Sequence, residues 1–185
     1  MNKVMKELFN TGVYLLCVLG LTYLVITFVG QRTEVEGSSM EPTLTNGDNL
    51  IMDKITYRFR EPKRFDIIVF PFKYKENTYY IKRIIGMPGE TVQIDEKGNI
   101  YIDGNILEES YGKEIIKPEH IGLAAEPITL GKDEYFVMGD NRNNSSDSRT
   151  EIVGNIKKKD IIGRAWIRIW PFSKMEVLAH GDEDA

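Results

Sequence analysis

Cysteine and histidine are nearly absent from this chain: its 185 residues include 1 Cys and 2 His. One Cys rules out an internal disulfide. A structural zinc site takes four ligands, mostly Cys and His, and three cannot fill it without carboxylates. Any Ser-His-Asp chemistry would have to run through His120 or His180. An excess of positive charge is missing as well. Lys and Arg total 24 against 28 Asp and Glu, for a formal net charge of −4. No surplus of cations is available to neutralise phosphates, which argues against a nucleic-acid partner. Long disorder is excluded too, since charged residues at 28% and hydrophobic ones at 42% match ordinary folded chains. There are no internal repeats.

These averages hide a segregation. No charge occurs between Glu7 and Arg32, and Val13 to Val29 reads VYLLCVLGLTYLVITFV. A spanning helix needs about 20 mostly apolar residues, so residues 8–31 are expected to form a transmembrane anchor, with 1–7 on the cytoplasmic side. A cleavable signal peptide would have a shorter apolar run ending in a small-x-small site; Val29-Gly30-Gln31-Arg32 offers none. Cys17 lies inside the span and reads as a small apolar filler. Lys3 and Lys6 precede the span, whereas Glu34, Glu36 and Glu41 accumulate after it. The positive-inside rule then places residues 32–185 on the extracytoplasmic face of the cell membrane.

The outer part reads as strands and turns. Apolar runs at 49–57, 64–72, 78–85, 91–94, 99–102, 105–107, 134–138 and 161–170 are separated by Asn46-Gly47, Pro88-Gly89, Lys97-Gly98 and Asp103-Gly104. The expected fold class is mainly β, a distorted barrel or packed antiparallel sheets. Residues 32–94 and 133–175 form the main domain in this reading. Residues 95–132 form a small β insert, and 108–130, which lack periodicity, a long loop within it. Residues 176–185 are read as a tail, frayed at its acidic end.

Candidate chemistry concentrates in few places. Gly37-Ser38-Ser39-Met40-Glu41-Pro42 combines a permissive Gly with a Pro that pushes its neighbour toward extended backbone, so a Ser between them sits on a stiff loop. Taken alone, that is most often a plain turn. Tyr79–Gly86 alternates Tyr80, Lys82 and Ile84 on one face with Ile81, Arg83 and Ile85 on the other. An edge strand with snorkelling cations is the plain account. The sharper one is that a buried Lys lowers its pKa and becomes a base for a Ser hydroxyl, whereas Arg keeps its proton and needs a carboxylate. Residues Gly139–Arg149 read GDNRNNSSDSR. The spacing fails as a calcium loop, because Arg142 and Ser145 occupy ligand and Gly positions. Asp140 and Asp147 could instead pair Arg83 and Arg149. Gly47-Asp48-Asn49 reads as a turn into a strand. His120 and His180 lie in irregular stretches, and no Ser-x-x-Lys occurs at Ser39, where the third following residue is Pro42.

In order along the chain, the anchor, Ser39-Met40-x-Pro42-Thr43-Leu44, Gly47-Asp48, Tyr80-Ile81-Lys82-Arg83, Gly86-x-Pro88-Gly89-Glu90 and the 139–149 run resemble bacterial type I signal peptidases in their compact Gram-positive form. The resemblance spans roughly residues 32–170. It implies a membrane-anchored Ser-Lys protease that cuts signal peptides from secretory preproteins after an Ala-x-Ala-like site, without cofactor or metal, as a monomer in contact with membrane lipid. It implies Ser39 as nucleophile, Lys82 as general base and Ser145 as a hydroxyl bonded to the Lys. Asp147 with Arg149 and Asp140 with Arg83 are implied as ion pairs holding the loop. Met40 and Gly37 belong to the nucleophile loop. Some relatives have a Ser where Gly37 stands, which leaves the second oxyanion donor open. From Arg32 to Ser39 the chain extends at most about 25 Å, so the nucleophile is expected near the outer membrane face, with Trp166, Trp170 and Phe172 as candidates for the interface. Two other readings compete. An anchored, non-catalytic β interaction domain would leave Ser39 and Lys82 apart in space. A self-cleaving repressor-like protease would carry a DNA-binding module in place of the membrane span.

Overall fold

The computed structural model describes residues 3–24 and 30–178. Among the described residues there is one α-helix, α1 (Lys3–Leu24); it has no buried residue and is long and apolar enough to cross a membrane. The described helix includes residues 3–7 ahead of Leu8, because a helix needs only backbone continuity and the flanking Lys and Glu residues are good helix formers. Residues 25–29 lie outside the described residues. Gly30 and Gln31, read as the end of the anchor, already belong to a strand.

Twelve strands follow among the described residues. They are β1 (Gly30–Glu34), β2 (Asn49–Asp53), β3 (Ile67–Pro71), β4 (Tyr79–Gly86), β5 (Thr91–Ile94), β6 (Ile100–Ile102), β7 (Asn105–Ile106), β8 (Ile128–Thr129), β9 (Glu134–Met138), β10 (Ile156–Lys157), β11 (Gly163–Trp170) and β12 (Glu176–Val177). The larger sheet runs β1-β2-β11-β3-β4-β9-β10, with β12 added to β11. The smaller runs β7-β6-β5-β8. Every pairing is antiparallel. The fold is thus mainly β, two antiparallel sheets behind one apolar helix. The strand β1 carries only polar or small side chains, GQRTE, which is why no hydrophobic alternation announced it.

Period-2 alternation on β4 distributes the core. Ile81 packs with Val35, Met40, Leu44, Leu50 and Ile67. Tyr80 and Ile84 pack on the opposite side with Ile68, Phe70 and Val137. Ile85 joins the smaller sheet through Val92, Ile94 and Phe136. At Gly86 the β4–β9 register slips, and a Cβ there would sit 2.5 Å from Val92 Cγ2 and 2.8 Å from Leu130 Cδ1, so only glycine lets the two sheets meet so closely.

Two expectations change. Residues 176–178 are not loose tail: β12 pairs with β11, Leu178 N–H donates to the Trp166 carbonyl, and the Leu178 side chain is buried in the core. The apolar Val177-Leu178 pair supplies the reason. Residues 179–185, including His180 and the acidic end, lie outside the described residues. The 108–130 stretch is not one long loop either. It holds short 3-10 turns at Pro118–His120 and Gly122–Ala125 and the strand β8, built on local hydrogen bonds that leave no periodic pattern.

Candidate active site

The Ser39 loop follows β1 across the top of the larger sheet. Gly37 adopts φ +93, a left-handed turn that a side chain would strain, and its N–H donates to Asn46 Oδ1 at 2.8 Å. Met40 is buried in the core and anchors the loop from below. Ser39 is half-buried at one end of a groove of about 400 Å³ lined by Val35, Gly37, Met40, Tyr80, Ile81 and Ser146 among others.

Lys82 comes from β4. Its Nζ donates to Ser39 Oγ at 2.7 Å and to its own neighbour's carbonyl, Ile81 O, at 3.0 Å. The Tyr80 ring lies 5.1 Å from the amine and itself stacks on Phe72 at 4.7 Å. No carboxylate pairs with Lys82 among the described residues. Burial pushes the amine from 10.5 down to about 8, with Asp147 and Asp140 pulling partly the other way and Arg149 assisting the depression. The separation that a non-catalytic domain would show between Ser39 and Lys82 is therefore absent.

The 139–149 loop encloses both residues. Arg83, fully buried, makes a two-pronged pair with Asp140, Nε to Oδ1 at 2.9 Å and Nη2 to Oδ2 at 2.7 Å. Arg149 makes the same fork with Asp147, both bonds at 2.8 Å, while Asp147 Oδ2 also accepts the Gly139 N–H. Thr43 Oγ1 donates to Asp140 at 2.6 Å, tying the Ser39 loop to the first pair. Asn141 is a second tie: its N–H donates to Ser39 O and its Nδ2 to Ser38 O, both at 3.0 Å. Asn144 Nδ2 donates to Ser38 Oγ. At Gly139 the loops touch so closely that a Cβ would lie 2.3 Å from both Ser39 O and Ser145 Oγ.

Ser145 departs from expectation. Its hydroxyl is buried and has no hydrogen-bond partner; the bond to Lys82 is not formed. The Lys82 amine is turned instead toward Ser39 and the Ile81 carbonyl, and Ser145 Oγ lies against Gly139. Gly37 offers no free donor either, since Asn46 takes its N–H.

Several residues here were invisible as site residues. Thr43, Asn141 and Asn144 act through bonds spanning about a hundred residues of chain, which spacing cannot reveal; only the density of amides in 139–149 hinted at them. Asp48, read as part of a turn, is buried and pairs with Arg168, which also holds Thr43 O at 3.0 Å. Burial pushes its carboxyl up, but hydrogen bonds from Thr45 and Arg168 outweigh that and hold it below the usual range. His120 contributes its backbone carbonyl to Arg149 and no side chain to the groove.

An accessible Ser hydroxyl lies against a buried amine with no histidine beside it, the pair of groups that a serine hydrolase without the usual triad would need. The comparisons give the family. Residues 8–170 match the model of signal peptidase, peptidase S26, and the chain belongs to that family. It is 40% identical over 162 residues to a probable signal peptidase I-2 of Synechocystis, an alignment covering 85% of this chain and 71% of the relative. It is 39% identical to a signal peptidase I P of Bacillus subtilis subsp. natto, covering 87% and 88%. A crystal structure of a signal peptidase I from Enterococcus faecalis, 34% identical, superposes with a TM-score of 0.46 over 57% of this chain and 97% of that one. Its members are serine proteases that cleave signal peptides.

Proposed function

We propose that this chain cleaves secretory preproteins after an Ala-x-Ala-like site, with Ser39 as nucleophile and Lys82 as general base. The observation that carries this is the 2.7 Å contact between Lys82 Nζ and Ser39 Oγ in a buried setting where no carboxylate pairs with the amine among the described residues. With the amine lowered to about 8, a useful fraction is neutral near neutral pH, and in that form the contact reverses: Ser39 Oγ–H donates to Nζ. The hydroxyl oxygen attacks the scissile carbonyl carbon while its proton passes to Lys82. The ammonium gives that proton to the leaving amine, and the C–N bond breaks to leave an ester on Ser39. Lys82, neutral again, takes a proton from water, whose oxygen attacks the ester; the proton returns to Ser39. The Ser39 N–H donates to no protein acceptor among the described residues, which suits it to hold the developing oxyanion.

The groove suits an extended substrate. Among the described residues β1 pairs only with β2, and β4 residues 79–82 pair only with β3. Both free edges border the groove, so a preprotein segment laid between them would gain main-chain hydrogen bonds from the sheet. The α1 helix would anchor the enzyme, with the β domain outside the cytoplasm. Trp170 and Phe172, half and largely exposed and packed edge-on at 4.9 Å, would meet the lipid interface.

The test is cleavage of a preprotein by the purified full chain in detergent. Ser39→Ala and Lys82→Ala should each abolish it; full activity in either overturns the assignment of that residue. The wild-type rate should rise about tenfold from pH 7 to pH 9, following the neutral fraction of an amine with a midpoint near 8. A flat profile would contradict a Lys base.

A further inference from the structure

The 139–149 loop is held from two sides. Asn141 and Asn144 fasten it to Ser38 and Ser39. From the other side it is fastened to residues 109–117, which extend from the smaller sheet. Lys113 N–H donates to Asp140 O at 2.8 Å. Asn143 bridges twice, Nδ2 to Ile115 O and Oδ1 from Lys117 N–H, both at 2.9 Å. Glu109 pairs with buried Arg142 at 2.7 Å while accepting the N–H groups of Tyr111 and Gly112. Tyr111 closes the arrangement. Its ring covers the Arg83 guanidinium, with Cζ 3.7 Å from the ring centroid, and rests on Phe65 at 5.0 Å. Phe65 has φ +69, an unusual angle for a large side chain, and its carbonyl accepts from Arg83 Nη1.

We propose that residues 109–117 are a strap that fixes the 139–149 loop against β4, and that Tyr111 is a positioning residue for the Ser39–Lys82 chemistry, acting through Arg83 and Asp140. This rests on the Ser-Lys reading above. Arg83 is the next residue after Lys82, and Asp140 precedes the Asn141 that holds the nucleophile loop, so the ring seals the joint where base and nucleophile are brought into register. The charged groups facing the amine are Asp140, Asp147 and Arg149. Opening the seal frees Arg83 to move away from Asp140, so the Asp140 charge, which already raises the pKa of the amine, is less neutralised and protonated Lys82 is favoured.

The experiment compares Tyr111→Leu and Tyr111→Phe in the full chain, in detergent, on a preprotein. Tyr111→Leu should lower kcat about tenfold with KM within about twofold, as loss of alignment does, and move the pH midpoint upward. Tyr111→Phe, which keeps the ring face, should restore both. A purely structural role would lower Tm and leave the midpoint in place. Folded Tyr111→Leu with wild-type kcat and midpoint overturns the proposal, as does Tyr111→Phe behaving like Tyr111→Leu. If Tyr111→Leu does not fold, Glu109→Gln decides, by the same fall in kcat or its absence. Failure of the dyad itself is separate: it appears as activity surviving in Lys82→Ala, whereas failure of the strap leaves Lys82→Ala inactive and Tyr111→Leu intact.

Discussion

Lys82 and Arg83 are adjacent on one strand, both are buried, and they meet opposite fates. Arg83 faces a carboxylate fork, an aromatic ring and a backbone carbonyl. Lys82 faces a hydroxyl, a carbonyl and an aromatic ring, with the carboxylates Asp140 and Asp147 acting only from a distance. The difference follows from chemistry. Guanidinium cannot shed its proton, so a buried Arg must be matched by a full counter-charge and becomes a clamp. An amine can shed its proton, so burial without a contacting counter-charge lowers its pKa and favours its neutral form. Strand alternation lets one sequence step separate the two environments.

The comparison breaks most sharply if Lys82 is made like its neighbour. Lys82→Arg keeps length and charge but not the ability to become neutral. We expect a loss of at least about 10³-fold in kcat, within the range for removing a general base, read on preprotein cleavage with Tm as the control for folding. Substantial activity in this variant would mean that a base other than Lys82 serves.

Making Arg83 neutral tests the other side. Arg83→Met strands Asp140 in a buried setting without its partner, which should cost about 3–5 kcal/mol of stability. The double variant Arg83→Met with Asp140→Leu removes both charges and should recover most of that loss. Denaturant unfolding of the three proteins would show it; equal losses in single and double variants would mean that the pair is not the clamp.

How much of this was legible beforehand divides along physical lines. The strand β4 and its two faces could be read from YYIKRIIG, because alternation is a local property. The ordered motifs pointed to Ser39, Lys82 and both Arg-Asp pairs. The strand β1 could not be read, since its order comes from pairing with β2 and its side chains stay largely exposed, with no apolar alternation. Nor could the roles of Thr43, Asn141, Tyr111 and Asp48, whose partners lie far along the chain. The Ser145 contact was implied by the resemblance, and rotamer choice, which no sequence encodes locally, turned the amine elsewhere.

The close approach that brings the two environments together has its own test. Gly139→Ala would place a methyl group 2.3 Å from Ser39 O, a backbone atom that cannot swing aside. The Ser39 loop must then shift away from the 139–149 loop, carrying the hydroxyl off the amine. A displacement of about 1 Å costs on the order of 10²-fold in rate. None of the three atoms nearest the added methyl group belongs to the Arg83–Asp140 fork, so the loss should fall on activity far more than on Tm. A large drop in Tm with little change in the specific activity of the folded fraction would reverse that assignment.

The smallest effect concerns stability and pH. The Lys82 amine sits at about 8 in the folded protein against 10.5 when unpaired in water. Between those values the unfolded chain binds more protons than the folded one, so stability rises with pH across about 8 to 10.5 and is flat below 8. Below pH 8 the buried ammonium therefore works against the fold, by up to about 3 kcal/mol at 1.36 kcal/mol per unit. Lys82→Met removes that opposition but also the bonds to Ser39 and Ile81 O. A net gain of about 2 kcal/mol at pH 7 is expected, shrinking as pH approaches 10.5. Arg83→Met loses stability at the same pH, so two substitutions to the same residue, one position apart, should move stability in opposite directions. Denaturant midpoints at pH 7 and pH 10 would measure this, and a Lys82→Met variant less stable than the parent at pH 7 would mean that the amine is held in its charged form by the very carboxylates that Arg83 and Arg149 are taken to neutralise.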